Sequence, residues 1–163
     1  MFVTYPPAFD PTKKYSLVQI RHGGPHTMFR DDFGYRWNQH VFASPGYVVA
    51  RVNRHGSTGF GEAFLGSIDG AWGDMTYAKN FKTPMLLVAG EQDYRVPYGN
   101  ALSLYGVLQA MGVPSRLLLF PNENHWVLTP QTAIYWNYEV QQWLARYIGA
   151  TPMEKPVFPS DEK

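Results

Sequence analysis

The sequence contains no cysteine, which excludes disulfide bonds, thiol catalysis and cysteine-based zinc sites. Its positive and negative charges nearly balance, and the net charge of +1 offers no electrostatic case for binding nucleic acid or an anionic membrane surface. No apolar run approaches the roughly 18 residues of a membrane-spanning helix. The opening residues also lack the pattern of a secretory signal peptide. We therefore expect a soluble, cytoplasmic protein.

The sequence does contain short apolar strands that alternate with helical patterns. Of its 163 residues, 45% are hydrophobic and 16% are aromatic, which is enough for the core of one domain. The predicted strands are 15–21, 47–52, 85–89 and 116–120, and the predicted helices are 33–43, 62–68, 100–111 and 132–148. This alternation predicts an α/β fold with a mainly parallel sheet flanked by helices. The proline-rich stretch 150–163 is expected to be an extended or disordered tail.

Three motifs follow predicted strands, at the end of the sheet where α/β proteins carry their active sites. His22-Gly23-Gly24-Pro25-His26 follows the first strand, Gly90-Glu91-Gln92-Asp93-Tyr94-Arg95-Val96-Pro97 follows the third, and Asn122-Glu123-Asn124-His125-Trp126 follows the fourth. Taken in this order, the motifs resemble the catalytic domain of the prolyl oligopeptidase family of serine peptidases. The resemblance is nearest to the acylaminoacyl-peptidase and dipeptidyl-aminopeptidase branch of that family.

The resemblance covers 1–149 in two blocks, which together predict an incomplete α/β-hydrolase domain. The first block, 1–74, ends shortly after Ala71-Trp72-Gly73, and the second block is 75–149. In the family, the blocks are separated by the nucleophile strand, its elbow and helix, and a further strand. Those elements amount to roughly 80–120 residues at ordinary element lengths. We therefore place an internal junction near Asp74 and Met75.

The resemblance implies a role for each motif. It makes Asp93 the catalytic acid, which orients a histidine and stabilises its cation, and it makes His125 the general base. His22, Gly23 and Gly24 would form a loop beside the oxyanion site, where glycine lets backbone N–H groups approach a developing charge. Because Asp93 and His125 follow two successive parallel strands, we expect their side chains to lie within hydrogen-bonding reach.

The nucleophile that these residues would serve is missing, because the sequence has no Gly-x-Ser-x-Gly elbow. Ser57 comes nearest, in His55-Gly56-Ser57-Thr58-Gly59, but His55 stands where the elbow needs glycine for its strained turn. No other serine has a better context. The sequence therefore predicts an acid and a base with nothing to activate.

Three interpretations of this combination stay open. The chain is an internally shortened serine peptidase without activity, or a non-catalytic module that covers its exposed sheet edges by homo-oligomerisation or with a complementary chain. In the third interpretation it is an active serine peptidase whose central segment is absent from these 163 residues. Peptides are the substrates that the resemblance implies.

No cofactor and no metal are expected. His22 and His26 could be taken for metal ligands, but no third ligand is suitably spaced. The glycines at 56, 59 and 61 do not follow the strand–Gly-x-Gly-x-x-Gly–helix pattern that binds a dinucleotide.

Overall fold

Strands and helices alternate along the chain after one short N-terminal strand, in the computed structural model, which describes residues 1–24, 26–69 and 80–157. The elements within these residues are β1 (Phe2–Thr4), β2 (Leu17–Arg21), α1 (Gln39–Ala43), β3 (Val48–Val52), α2 (Glu62–Gly66), β4 (Met85–Gly90), α3 (Gly99–Ala110), β5 (Ser115–Phe120) and α4 (Pro130–Ile148). Parallel strands flanked by helices confirm the predicted α/β class.

The chain forms two compact units. Their bounds are Met1–Asp74 with Ile148–Thr151, and Met75–Tyr147 with Pro152–Lys163. The junction predicted near Asp74 and Met75 lies outside the described residues, as do Pro25 and the motif at 71–73. The internal junction therefore stays a prediction, and each unit is described by itself.

The first unit contains a three-stranded sheet in the order β1-β3-β2. β2 and β3 are parallel, from Leu17 opposite Val48 to Arg21 opposite Val52. β1 is antiparallel to β3. The central strand is the most buried, with Val49 at 0% exposure. Its largely apolar sequence, with Arg51 as the one charged residue, matches this burial.

Two features of this unit differ from the sequence prediction. The helix predicted over 33–43 is wrong in its first half, because α1 begins only at Gln39. Trp37 has a φ of 49°, a left-handed conformation that a right-handed helix cannot include. Asn38 then caps α1, since its Oδ1 accepts from the His40 N–H at 2.9 Å. β1 was not predicted, because three residues are too few to show a period. The other predicted elements agree with the structure to within two residues.

The second unit contains the parallel pair β4 and β5, in register from Met85 opposite Ser115 to Gly90 opposite Phe120. α3 connects the two strands and packs against both. Its Leu108 is completely buried. Because the strands are parallel, they end side by side at Gly90 and Phe120. The segments that follow them therefore start at the same edge of the sheet.

α4 is held to β5 by an ion pair between a buried glutamate and a half-exposed arginine. The guanidinium of Arg116 on β5 donates to Glu139 on α4, with Nη1–Oε2 at 2.6 Å and Nη2–Oε1 at 2.9 Å. This two-pronged geometry is the strong form of a charged hydrogen bond. Trp136 of α4 is also buried. These contacts fix α4, and they limit the path of the segment that connects β5 to it.

Residues 151–157 contain neither helix nor strand. The Gln142 Nε2 donates to the Met153 carbonyl at 2.5 Å. The remainder of the predicted tail, 158–163, lies outside the described residues. Among the helices in the described part of the chain, none combines the length and the apolar character needed to cross a bilayer.

Candidate functional site

Asp93 lies three residues beyond the end of β4, in a turn that its own carboxylate shapes. Its Oδ1 accepts from the backbone N–H of Arg95 at 3.0 Å and of Val96 at 2.8 Å. The Asp93 N–H donates to the Gly90 carbonyl at 3.2 Å. The residue as a whole is 9% exposed. An aspartate side chain that accepts from backbone N–H groups two and three residues later stabilises a turn locally. Residues 93–96 therefore form this turn largely from their own sequence.

The second oxygen of Asp93 contacts His125. The distance from Asp93 Oδ2 to His125 Nδ1 is 2.7 Å. The predicted contact between the two side chains is therefore confirmed, while their catalytic roles stay predictions. A carboxylate can only accept at this distance, so Nδ1 carries the proton. The neutral ring then has its basic lone pair at Nε2, the atom a general base uses in acyl transfer.

The environment of Asp93 favours its charged form. Burial opposes ionisation, but the N–H groups of Val96 and Arg95 and the imidazole of His125 outweigh it. The pKa of Asp93 therefore lies below its ordinary value of 3.8. At neutral pH Asp93 is a carboxylate, which is the state that fixes the ring of His125 and stabilises its cation.

Gly90 allows the two loops to meet. A Cβ at this position would lie 2.7 Å from the Asn124 carbonyl oxygen, and closer still to that of Glu123. Beside this close approach, the Gln92 N–H donates to the Glu123 carbonyl at 3.0 Å. The end of β4 therefore lies directly against the backbone that leads to His125, and only glycine leaves room for it.

Sequence reasoning gave no role to Glu123, although its motif was recognised. Glu123 is 4% exposed, and its carboxylate accepts from the backbone N–H of Leu128 at 2.9 Å and of Thr129 at 3.3 Å. Burial acts to raise the pKa of Glu123, but hydrogen bonds from Thr129, Thr132 and Leu128 lower it by more. The pKa of Glu123 therefore lies below its ordinary value of 4.5. The available signal was an acidic residue shortly before Thr129-Pro130, where a helix was about to begin.

The predicted oxyanion loop lies in the first unit, directly after β2. Gly24 has a φ of 125°, which favours glycine there. His22 Nδ1 lies 2.9 Å from the Gly23 carbonyl, and His22 Nε2 lies 2.7 Å from Ser57 Oγ. The oxyanion role of His22, Gly23 and Gly24 stays a prediction. The structure brings together Asp93 and His125 in the second unit, and it places this loop in the first.

Ser57 is not presented as a nucleophile. It is 0% exposed, and its hydroxyl donates to the Arg54 carbonyl at 2.5 Å. Because His22 lies within hydrogen-bonding distance, Ser57 and His22 resemble the serine–histidine pair of a hydrolase. A completely buried hydroxyl that already donates to the backbone cannot reach a substrate, so Ser57 acts as a structural link between loops.

The second histidine of the first motif also has local partners. His26 Nδ1 lies 3.2 Å from the Gly56 carbonyl, and its Nε2 lies 3.7 Å from Asp69 Oδ1. Within the described residues, no three histidine, aspartate or glutamate side chains form a group that could hold a metal ion.

Comparison with known proteins gives consistent matches. A sequence profile of the prolyl oligopeptidase family matches residues 33–78 and 74–151. The probable dipeptidyl-peptidase 5 of Aspergillus flavus is 29% identical over 243 residues, covering 91% of this chain and 34% of that protein. The dipeptidyl-peptidase 5 of Aspergillus oryzae matches equally well. This chain thus spans about a third of the length of the curated relatives it matches.

Two solved structures show the fold. An acylaminoacyl peptidase from Pyrococcus horikoshii superposes with a TM-score of 0.69 at 17% identity, covering 98% of this chain and 41% of that chain. Dipeptidyl peptidase 4 of Porphyromonas gingivalis superposes with a TM-score of 0.75 at 15% identity. The match covers 88% of this chain and 33% of that chain. Both are α/β-hydrolases, so this chain carries a partial α/β-hydrolase fold.

The alignment with the fungal relatives also contains an internal difference in length. It extends over 243 residues, whereas 91% of the 163 residues of this chain is about 148, so about 95 positions have no counterpart here. That value falls within the roughly 80–120 residues expected for the missing central elements. Because the family profile matches well over half of the chain, this protein belongs to the prolyl oligopeptidase family.

Proposed function

We propose that this chain is a serine-peptidase-type domain that retains the acid and the base of acyl transfer but has no nucleophile, and that it is inactive by itself. The observation that carries the proposal is the 2.7 Å contact between Asp93 and His125 in a chain without a Gly-x-Ser-x-Gly elbow. Peptides are the substrate class proposed for a complete relative, in agreement with relatives named dipeptidyl-peptidase and acylaminoacyl peptidase.

The chemistry of the retained pair explains why it is insufficient. In acyl transfer the histidine removes a proton from a serine hydroxyl, and the aspartate stabilises the imidazolium that forms. Here His125 has its orienting partner, but no elbow serine exists for it to deprotonate. The residue after the elbow serine also supplies an oxyanion N–H, so that donor is absent as well. The pair can at best position a water molecule.

A fluorophosphonate probe with intact mass analysis tests the proposal, because the probe labels only activated serines. We expect no labelling of a homogeneous chain of 18.6 kDa. A complete serine hydrolase is the positive control, and the His125→Asn variant shows whether any label depends on the base. Stoichiometric labelling at 18.6 kDa would overturn the proposal. Labelling confined to a heavier species would instead support the active interpretation, in which a central segment completes the protein.

We propose self-association as a second function, which does not require catalysis. Among the described residues, β2 pairs with β3 alone, so its other edge carries unpaired backbone groups. Leu17, the first residue of β2, is 58% exposed. An exposed apolar residue on an open edge favours pairing with another chain.

Sedimentation at micromolar concentration measures this association. We expect a mass of at least two chains, and we expect Leu17→Lys to weaken the association about tenfold or more by placing a charge at the edge. Leu102, which is 42% exposed on α3 rather than on a strand, provides the matched control Leu102→Lys, with no expected change. A well-folded monomer of the unmodified chain would refute self-association.

A further inference from the structure

We propose that Glu123 is a positioning residue for His125, and that its buried carboxylate sets the conformation of the histidine loop, defined here as residues 121–129. The inference rests on the proposed role of His125 as the base. Its subject is the geometry of the pair, however, so it can be tested without turnover.

The side chain of Glu123 closes the histidine loop on itself. Glu123 lies two residues before His125, and its Oε2 accepts from the Leu128 N–H, three residues after His125, at 2.9 Å. Oε1 accepts from the next N–H, that of Thr129, at 3.3 Å. The carboxylate therefore spans the base of a short loop that has His125 between its ends. A loop closed in this way has few alternative conformations, so it restricts the position of His125.

The backbone of Glu123 joins the same loop to both strands. Its N–H donates to the Phe120 carbonyl at the end of β5, at 3.3 Å. Its carbonyl accepts from the Gln92 N–H at 3.0 Å, one residue before Asp93. One residue thus connects the aspartate turn with the histidine loop. Its side chain then extends the connection to the start of α4.

The interior of the histidine loop needs such support. Val127 has a φ of 49°, a conformation that a β-branched residue rarely adopts. Asn124 Oδ1 accepts from the Trp126 N–H at 2.8 Å, which tightens the turn around His125. An unfavourable backbone conformation persists only where surrounding contacts impose it. The carboxylate of Glu123, on the next two N–H groups after Val127, is such a contact.

The charge of Glu123 matters as well as its size. A carboxylate offers acceptors on both oxygens, whereas a glutamine of the same shape replaces one oxygen with an NH₂ donor. In Glu123→Gln, that donor would face the N–H of Leu128 or Thr129, and the two partly buried N–H groups would have to share the one remaining oxygen. The conservative variant therefore alters the loop without leaving a cavity.

The test is NMR of the full chain labelled with ¹⁵N-histidine, using His125→Asn to assign the ring signals. A ring proton held between imidazole and carboxylate gives a far-downfield resonance that exchanges slowly with water. We expect Glu123→Gln to broaden that resonance and to speed its solvent exchange about tenfold or more, because the loop opens more often. Glu91→Gln is the matched control, since Glu91 is exposed at the end of β4, and it should leave the resonance unchanged.

An unchanged resonance in Glu123→Gln, with the same exchange rate, would overturn the inference and leave Glu123 as a contact to the start of α4 alone. If Glu123→Gln does not fold, Thr132→Val removes one hydrogen-bond donor to Glu123 and should speed exchange severalfold in the same direction. No change in a folded Thr132→Val would then overturn the inference. Fluorophosphonate labelling of the chain would defeat the inactive assignment and leave this result intact.

Discussion

Hydrolysis of aminoacyl and peptidyl amides by this chain is expected to be on the order of a million-fold slower than hydrolysis by a peptidase with a complete triad. Removing the nucleophile alone has an effect of that size, because the histidine and aspartate assist steps that begin with attack by the serine. Here the oxyanion donor beside the serine is missing too, so binding of the substrate remains the main contribution.

The measurement is the release of a chromogenic amine from aminoacyl and dipeptidyl amides at high protein concentration. His125→Asn is the informative comparison. If the chain has no nucleophile, the variant should release product at the same residual rate as the unmodified chain, within about twofold. A large loss of rate in His125→Asn would show that His125 activates a group in this chain, contrary to our expectation.

Gly90→Ala is expected to destabilise the second unit by about 3 kcal/mol, near the upper end for overpacking, and to separate Asp93 from His125. The added Cβ would lie 2.7 Å from the Asn124 carbonyl and closer to that of Glu123. Both carbonyls belong to the backbone, which cannot move aside as the end of a flexible side chain can. Relief requires the backbone of the histidine loop to move away from β4, which also breaks the bond between Gln92 N–H and the Glu123 carbonyl.

Urea denaturation followed by circular dichroism gives the free energy of unfolding. The downfield NMR resonance of the His125 ring proton shows whether His125 still contacts Asp93. Gly106→Ala is the control. Gly106 lies inside α3, and a Cβ there would meet nothing within 4 Å, so alanine should stabilise the chain by about 0.5–1 kcal/mol. Equal stability of Gly90→Ala and the unmodified chain would mean that the two loops do not need this close approach.

Much of the fold is local in origin, and for that reason the sequence predicted it. The apolar runs at β3, β4 and β5 and the turn residues after them mark the parallel strands of the two sheets. Asp93 shapes its own turn by bonding the N–H groups of Arg95 and Val96. The failures had two different causes: the left-handed Trp37 is a local feature that shortened α1, whereas β1 depends on distant pairing with β3.

The sequence by itself determined the order of strands and helices, the family resemblance, the absence of an elbow and the two residues that should meet. Periodicity, glycine turns and residue chemistry act over a few positions, and the parallel order of β4 and β5 brings their ends together. Only the tertiary structure decided the roles of Gly90 and Glu123. Each depends on a contact between segments far apart in the chain: Gly90 on a backbone 33 residues away, and Glu123 on the bond that its carbonyl accepts from the Gln92 N–H. Such contacts follow from packing, which no local pattern records.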